Sequence, residues 1–316
     1  MHLKKIFTAG FALLFVFVGQ AQKINFRTDT TSVAVYGGSM YGTLFIPEQP
    51  SPPIVLLIAG SGATDRNGNT AGMPGKNNSL LQLADSLARH GIASLRYDKR
   101  GIGESAKALA KEESLVFEQN SADARVWLQH LYEKGYKRIY VAGHSEGSLV
   151  ALQAAQTFPV SGLISLAGAG RPIQEVLREQ LSTLPEALKS TAYNCLDTLA
   201  NGNRIKEPPL ALLSLFRPSI QDYLISWMKL DPATLIKTIT CPALIVQGGQ
   251  DIQVQLADAN RLHQANTKNQ LLILPNMNHI FKPITDGSRA KNIASYTDPN
   301  QYVMTELVSA IRRFIQ

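Results

Sequence analysis

Residues 54–59 read Ile-Val-Leu-Leu-Ile-Ala, six apolar side chains in succession between Pro53 and Gly60. A strand wetted on one face alternates apolar with polar positions, and a strand covered on both faces loses that alternation. This run therefore predicts a strand of a parallel sheet, which needs helices on both sides. The rest of the chain supplies them. Further strands are expected over residues 92–97, 138–142, 162–166, 243–247 and 271–274, and helices over 79–90, 121–134 and 148–157. In the first of these helices Leu80, Leu83, Ala84 and Leu87 fall on one face, and Gly91 suits its C-terminal stop. Such alternation predicts the α/β class, with a mostly parallel central sheet flanked by helices. With 316 residues, 45% hydrophobic and 17% charged, the chain has ample apolar material for one large core.

The alternation stops between residues 171 and 232. That stretch has helical periodicity, no good strand, and breaks at Pro208, Pro209 and Pro218. Its flanking strands complete one sheet, so an inserted helical lid is expected rather than a separate domain. Leu210, Leu213, Leu215, Phe216, Tyr223 and Trp227 could line a pocket under such a lid, although most are expected to bury against the sheet.

The first residues carry Lys4 and Lys5, an apolar run over 6–18, and Gly19 and Ala21 around Gln20. This is the pattern of a secretory signal over residues 1–21, leaving one α/β domain over 22–316 that is periplasmic or extracellular. The apolar run is shorter than the roughly 20 residues that span a bilayer, so no stable membrane anchoring is expected after cleavage. The net charge is +7, or +5 without Lys4 and Lys5. No basic run tracks a phosphate backbone, which argues against nucleic acid as a partner. Cys195 and Cys241 could pair in an oxidising compartment, but two cysteines make no disulfide scaffold and isolated thiols are expected.

The chemistry concentrates at Gly143-His144-Ser145-Glu146-Gly147. A hydroxyl is a poor nucleophile until a base takes its proton and the backbone presents its oxygen. Glycines on either side of a serine permit a sharp strand-to-helix turn that does the presenting. By chance alone G-x-S-x-G arises in roughly one chain in ten of this length. Here it lies between an expected strand and an expected helix, the setting that such a turn requires.

The base should be a histidine near the C-terminal edge of the sheet. His2 lies in the signal; His90, His130 and His263 lie in or at the ends of amphipathic helices; His144 is expected to point away from Ser145. His279 remains, in the loop NMNHIF after the strand at 271–274. A carboxylate must fix its tautomer, and Asp251, just past the strand at 243–247 and Gly248-Gly249, is the expected one. Asp258 and Asp231 are rivals, and Asp251 could instead serve only as a helix cap. Negative charge on a tetrahedral intermediate calls for backbone donors. The N–H of Glu146 is one; Ser61, then Gly62, in the turn after residue 59, is the other. That turn lacks the Gly-Lys-Ser/Thr ending of a phosphate cradle. There is no HExxH, Cys/His cluster or acidic calcium loop, so neither metal nor cofactor is expected.

Three signatures, GSGATDRNG at 60–68, RYDKRGIGES at 96–105 and GHSEG at 143–147, together with the order Ser145, Asp251, His279, resemble the α/β-hydrolase superfamily. Within it they look like bacterial acyl esterases with an inserted lid. The resemblance covers most of the chain beyond the signal and implies a serine esterase acting on a small-molecule ester with a short acyl group. It also implies that the position of Ser61 donates an oxyanion N–H and that residues 98–105 hold the loops around the site. Ala59 stands where many relatives carry a histidine. Amide, peptide or thioester hydrolysis by the same residues, and a noncatalytic binding protein of this fold, stay open as alternatives. Glu146 is expected to turn away from the oxyanion, to be solvated there or to pair with Arg66.

Overall fold

A computed structural model describes residues 24–316; the expected export signal at 1–21 lies outside them. Eight strands form one sheet in the order β1-β2-β4-β3-β5-β6-β7-β8. They are β1 (Phe26–Val35), β2 (Gly38–Pro47), β3 (Ile54–Ile58), β4 (Ala93–Tyr97), β5 (Ile139–His144), β6 (Gly162–Leu166), β7 (Ala243–Gly248) and β8 (Gln270–Leu274). From β4 to β8 every pairing is parallel.

The uninterrupted apolar runs conceal a strict two-residue period. Ile54, Leu56 and Ile58 join one core, with Val141, Leu163 and Ile245 beside them. Val55, Leu57 and Ala59 join the other, with Ala142, Ile164 and Val246. Helices α1 (Ser79–Ala88) and α11 (Thr305–Ile315) cover the second face through Leu80, Leu83, Leu87, Leu307 and Ile311. Helices α2 (Phe117–Glu133), α3 (Glu146–Thr157) and α9 (Leu256–Ala265) cover the first. Each such buried leucine contributes roughly 1.5–3 kcal/mol.

Between β6 and β7 run only helices: α4 (Ile173–Gln180), α5 (Glu186–Ala200), α6 (Leu213–Phe216), α7 (Gln221–Met228) and α8 (Pro232–Ile236), with short 3-10 turns. Of the apolar residues singled out there, Phe216 and Trp227 are buried and Leu210 is 86% exposed. Helix α10 (Arg289–Ala294) lies between β8 and α11. No helix among the described residues is long and apolar enough to cross a membrane. Cys195 and Cys241 are both free thiols.

The structure adds what the sequence reading left out. Strands β1 and β2 form an antiparallel hairpin closed at Val35 and Gly38, with Gly37 at φ +94° in the turn. Helix α2 begins at Phe117, four residues before its expected start at 121. Its first residue is fixed from afar: the Phe117 N–H donates to Ser226 Oγ at 2.8 Å, and its ring stacks on Trp227 with centroids 5.3 Å apart.

Candidate active site

Ser145 stands at the junction of β5 and α3 with φ 54° and ψ −119°, a strained backbone for a residue with a side chain. The flanking glycines are dictated by crowding. A Cβ on Gly143 would lie 1.9 Å from the Gly147 carbonyl oxygen, and one on Gly147 would lie 2.5 Å from that of Ile58. The turn is held to β6 by the Ser145 N–H, which donates to Leu166 O at 2.9 Å.

Asp251 and His279 arrive from the ends of β7 and β8, adjacent strands of the sheet. His279 Nδ1 lies 2.8 Å from Asp251 Oδ2, with both residues buried. Asp251 Oδ2 also accepts from Gln247 Nε2 at 2.9 Å, and Oδ1 accepts from the N–H groups of Gln253 and Val254 at 2.8 and 3.0 Å. Burial pushes this carboxyl upward, and His279 with the two backbone N–H groups outweighs it, so the net shift is downward. An ionised Asp251 accepts a hydrogen bond from the His279 Nδ1–H, which holds the proton on Nδ1 and leaves the Nε2 lone pair open. Asp251 is therefore more than a cap, and helix α9 starts only at Leu256. The rival carboxylates are engaged elsewhere: Asp258 with Arg171 at 2.7 Å, and Asp231 as the cap of α8.

His144 does not merely point away, as the sequence suggested. Its Nε2 donates to the His279 carbonyl at 2.9 Å, and the two rings stand 4.7 Å apart. This places His279 beside the serine turn. Among the described residues the Ser145 hydroxyl makes no hydrogen bond, so serine and imidazole are neighbours without a bond between them. Burial, then the charge that His279 can carry, pushes the His144 pKa down to about 3. Unfolded, His144 takes up its proton near pH 6.5; folded, only near 3. Stability should accordingly fall as pH drops through that window, by up to about 1.4 kcal/mol per pH unit. Denaturant titrations between about pH 7 and 4 should show a shallower slope for His144→Gln. An unchanged slope would mean that His144 is not the group held neutral.

Ser61, Gly62, Ser145 and Glu146 line one cavity of about 570 Å³, together with Ile173, Val176, Leu215, Tyr223, Leu224 and Trp227 of the helical insertion. Gly62 has φ +70°, and among the described residues the N–H groups of Ser61 and Glu146 donate to nothing. The expected pair of Glu146 with Arg66 is not formed. Arg66 binds Asp98 at 2.7 Å and also Glu104, tying residues 60–68 to the turn after β4. Asp98 secures that turn by accepting from the Arg66 and Glu104 N–H groups at 2.8 and 3.0 Å. Glu146 instead faces Lys99 at 3.2 Å. Every other charge on the cavity wall is likewise matched: Arg100 with Asp123 at 2.6 Å, Arg171 with Asp258, and Glu112 with Arg217 at 2.5 Å.

Residues 71–212 match the hydrolase family described as serine aminopeptidase, S33. The esterase EstD of Thermotoga maritima is 30% identical over 248 residues, which are 76% of this chain and 57% of EstD. Among solved structures, Est1E from Butyrivibrio proteoclasticus with ferulic acid bound superposes with TM-score 0.58 at 16% identity, covering 90% of this chain and 97% of that one. The proline iminopeptidase of Mycobacterium smegmatis superposes with TM-score 0.57 at 12% identity, covering 91% and 97%. By fold, this chain is an α/β-hydrolase. In this α/β-hydrolase the matched family segment contains Ser145 but neither Asp251 nor His279, so their grouping rests on the geometry above. Sequence reasoning overlooked Gln247, His144 as a support for His279, and Lys99. The signal for Lys99 was its position just past the strand Ala93–Tyr97, inside a signature that had already been singled out.

Proposed function

We propose that this α/β-hydrolase is a serine esterase that cleaves carboxylic esters with short, uncharged acyl groups. The Ser145 hydroxyl attacks the ester carbonyl as His279 Nε2 takes its proton. The tetrahedral oxyanion is held by the Ser61 and Glu146 N–H groups, with Gly62 widening the turn. His279 returns the proton to the departing alcohol, and water then hydrolyses the acyl-enzyme by the same route. Asp251 keeps the Nδ1 proton in place and stabilises the imidazolium. The observation that carries the reading is the paired Asp251 and His279 packed beside the turn of a serine that has positive φ and lines the cavity.

The charge matching of the cavity wall bears on substrate class. An aminopeptidase holds a substrate ammonium with a free carboxylate, but the wall's acidic residues, Glu112 and Glu146, already face Arg217 and Lys99. The basic residues are matched too, so no anionic end group is called for. A neutral ester fits this balance, and the volume lies in the usual range for small-molecule sites. The insertion serves as the lid of this site. Export is part of the proposal and rests on Lys4, Lys5 and the apolar run after them.

A panel of p-nitrophenyl esters of rising acyl length, run beside aminoacyl p-nitroanilides, tests the reading. Turnover of the short-chain esters with little or none of the anilides is expected. Anilide hydrolysis outpacing every ester would replace esterase by aminopeptidase.

A further inference from the structure

Lys99 is buried two residues past the end of β4 and makes two contacts beside the turn that carries Ser145. Its Nζ donates to the Gly60 carbonyl at 2.6 Å and lies 3.2 Å from Glu146 Oε1. Gly60 C=O and Ser61 N–H belong to one planar peptide unit, in which the two groups point in opposite directions. Glu146 carries the other N–H assigned to the oxyanion. One ammonium thus grips the residues behind both donors, one through its peptide and one through its side chain. The peptide in question lies against the nucleophile: a Cβ on Gly60 would sit 3.3 Å from the Ser145 Cβ.

We infer that Lys99 is a positioning residue for the oxyanion hole, fixing the 60–61 peptide so that the Ser61 N–H faces the reacting carbonyl. This rests on the esterase reading. Two physical effects act together. The hydrogen bond sets the direction of the peptide, and a cation on its carbonyl oxygen draws electron density from the amide, making the opposite N–H a stronger donor. The side-chain charge of Glu146 would oppose an oxyanion beside it, and the same ammonium offsets it. Sites that stabilise developing charge do so with donors fixed beforehand, and a buried cation with two partners provides that fixity.

Lys99→Met removes both grips and leaves Glu146 as an unpaired buried carboxylate, so Lys99→Met/Glu146→Gln is the decisive variant, since it restores charge balance without restoring the contact to Gly60. It carries the test even if the single variant does not fold. For the double variant kcat should fall about a hundredfold, as when one oxyanion donor is lost, with KM within a few-fold of wild type. Affinity for an alkyl boronic acid, whose tetrahedral Ser145 adduct mimics the intermediate, should fall by a similar factor. A double variant with wild-type kcat and boronate affinity would overturn the inference and reduce Lys99 to a counter-charge for Glu146. Equal losses in KM and none in kcat would overturn it as well. If the wild-type protein itself neither hydrolyses esters nor binds the boronate, the esterase reading falls first, and the inference with it.

Discussion

Ser145→Ala is expected to lower ester turnover by about a millionfold while leaving the fold intact, because nucleophile, base and carboxylate act as a unit and what remains is the contribution of the oxyanion site and binding. Stability should barely change. Alanine keeps the Cβ and hence the same strain at φ 54°, and the serine hydroxyl has no hydrogen bond among the described residues to lose. Ser145→Gly should be equally inactive yet melt higher than Ser145→Ala, since releasing about 1–3 kcal/mol of backbone strain exceeds the roughly 0.5–1 kcal/mol that glycine's extra freedom in the unfolded chain costs. Initial rates with a p-nitrophenyl ester and thermal melts of the three proteins check both statements. Turnover within a hundredfold of wild type in Ser145→Ala would disprove the nucleophile assignment and direct attention to water activated by His279 alone.

The parallel half of the sheet was legible because burial on both faces writes itself into sequence as unbroken apolar runs, and β6 falls at the expected residues 162–166. The β1–β2 hairpin left no such mark: Phe26–Val35 is largely exposed or half-buried, and its threonines and charges suit an edge more than a core. The start of α2 was hidden for a different reason, since Phe117 owes its place to Ser226 and Trp227, more than a hundred residues away. At the site, Ser145, Asp251 and His279 could be picked out because each follows a strand whose end is fixed by topology. The partner of Glu146 could not. Arg66 and Lys99 both sit on loops beside the elbow, and which cation faces Glu146 depends on Asp98 and Glu104 having already engaged Arg66. Pairing among several nearby charges is a property of the packed loops, beyond what spacing along the chain encodes.

Asp251→Asn should cut kcat by about ten-thousandfold, because the hydrogen bonds around the carboxylate favour the amide rotamer that fixes the wrong imidazole tautomer. Asp251 accepts four bonds: from His279 and Gln247 on Oδ2, and from the Gln253 and Val254 N–H groups on Oδ1. If the asparagine NH2 takes the Oδ2 position, it donates to His279 Nδ1. The imidazole is then forced into the tautomer with its proton on Nε2, which cannot accept the serine proton, and the amide also confronts the Gln247 donor. If the amide is flipped, its NH2 faces two backbone N–H groups. Either arrangement sets donors against donors, so a loss of about 1–3 kcal/mol of stability should accompany the catalytic defect. The wild-type carboxylate, whose pKa is lowered on folding, contributes stability above its unfolded value near 3.9 that is lost as pH falls through its folded value. The variant should lack that acid limb, which distinguishes a lost charge from a merely loosened loop. Denaturant melts at about pH 7 and pH 3 compare the two proteins, and steady-state rates at neutral pH measure the defect. An Asp251→Asn enzyme with kcat within tenfold of wild type would show that the tautomer of His279 is set by some other group.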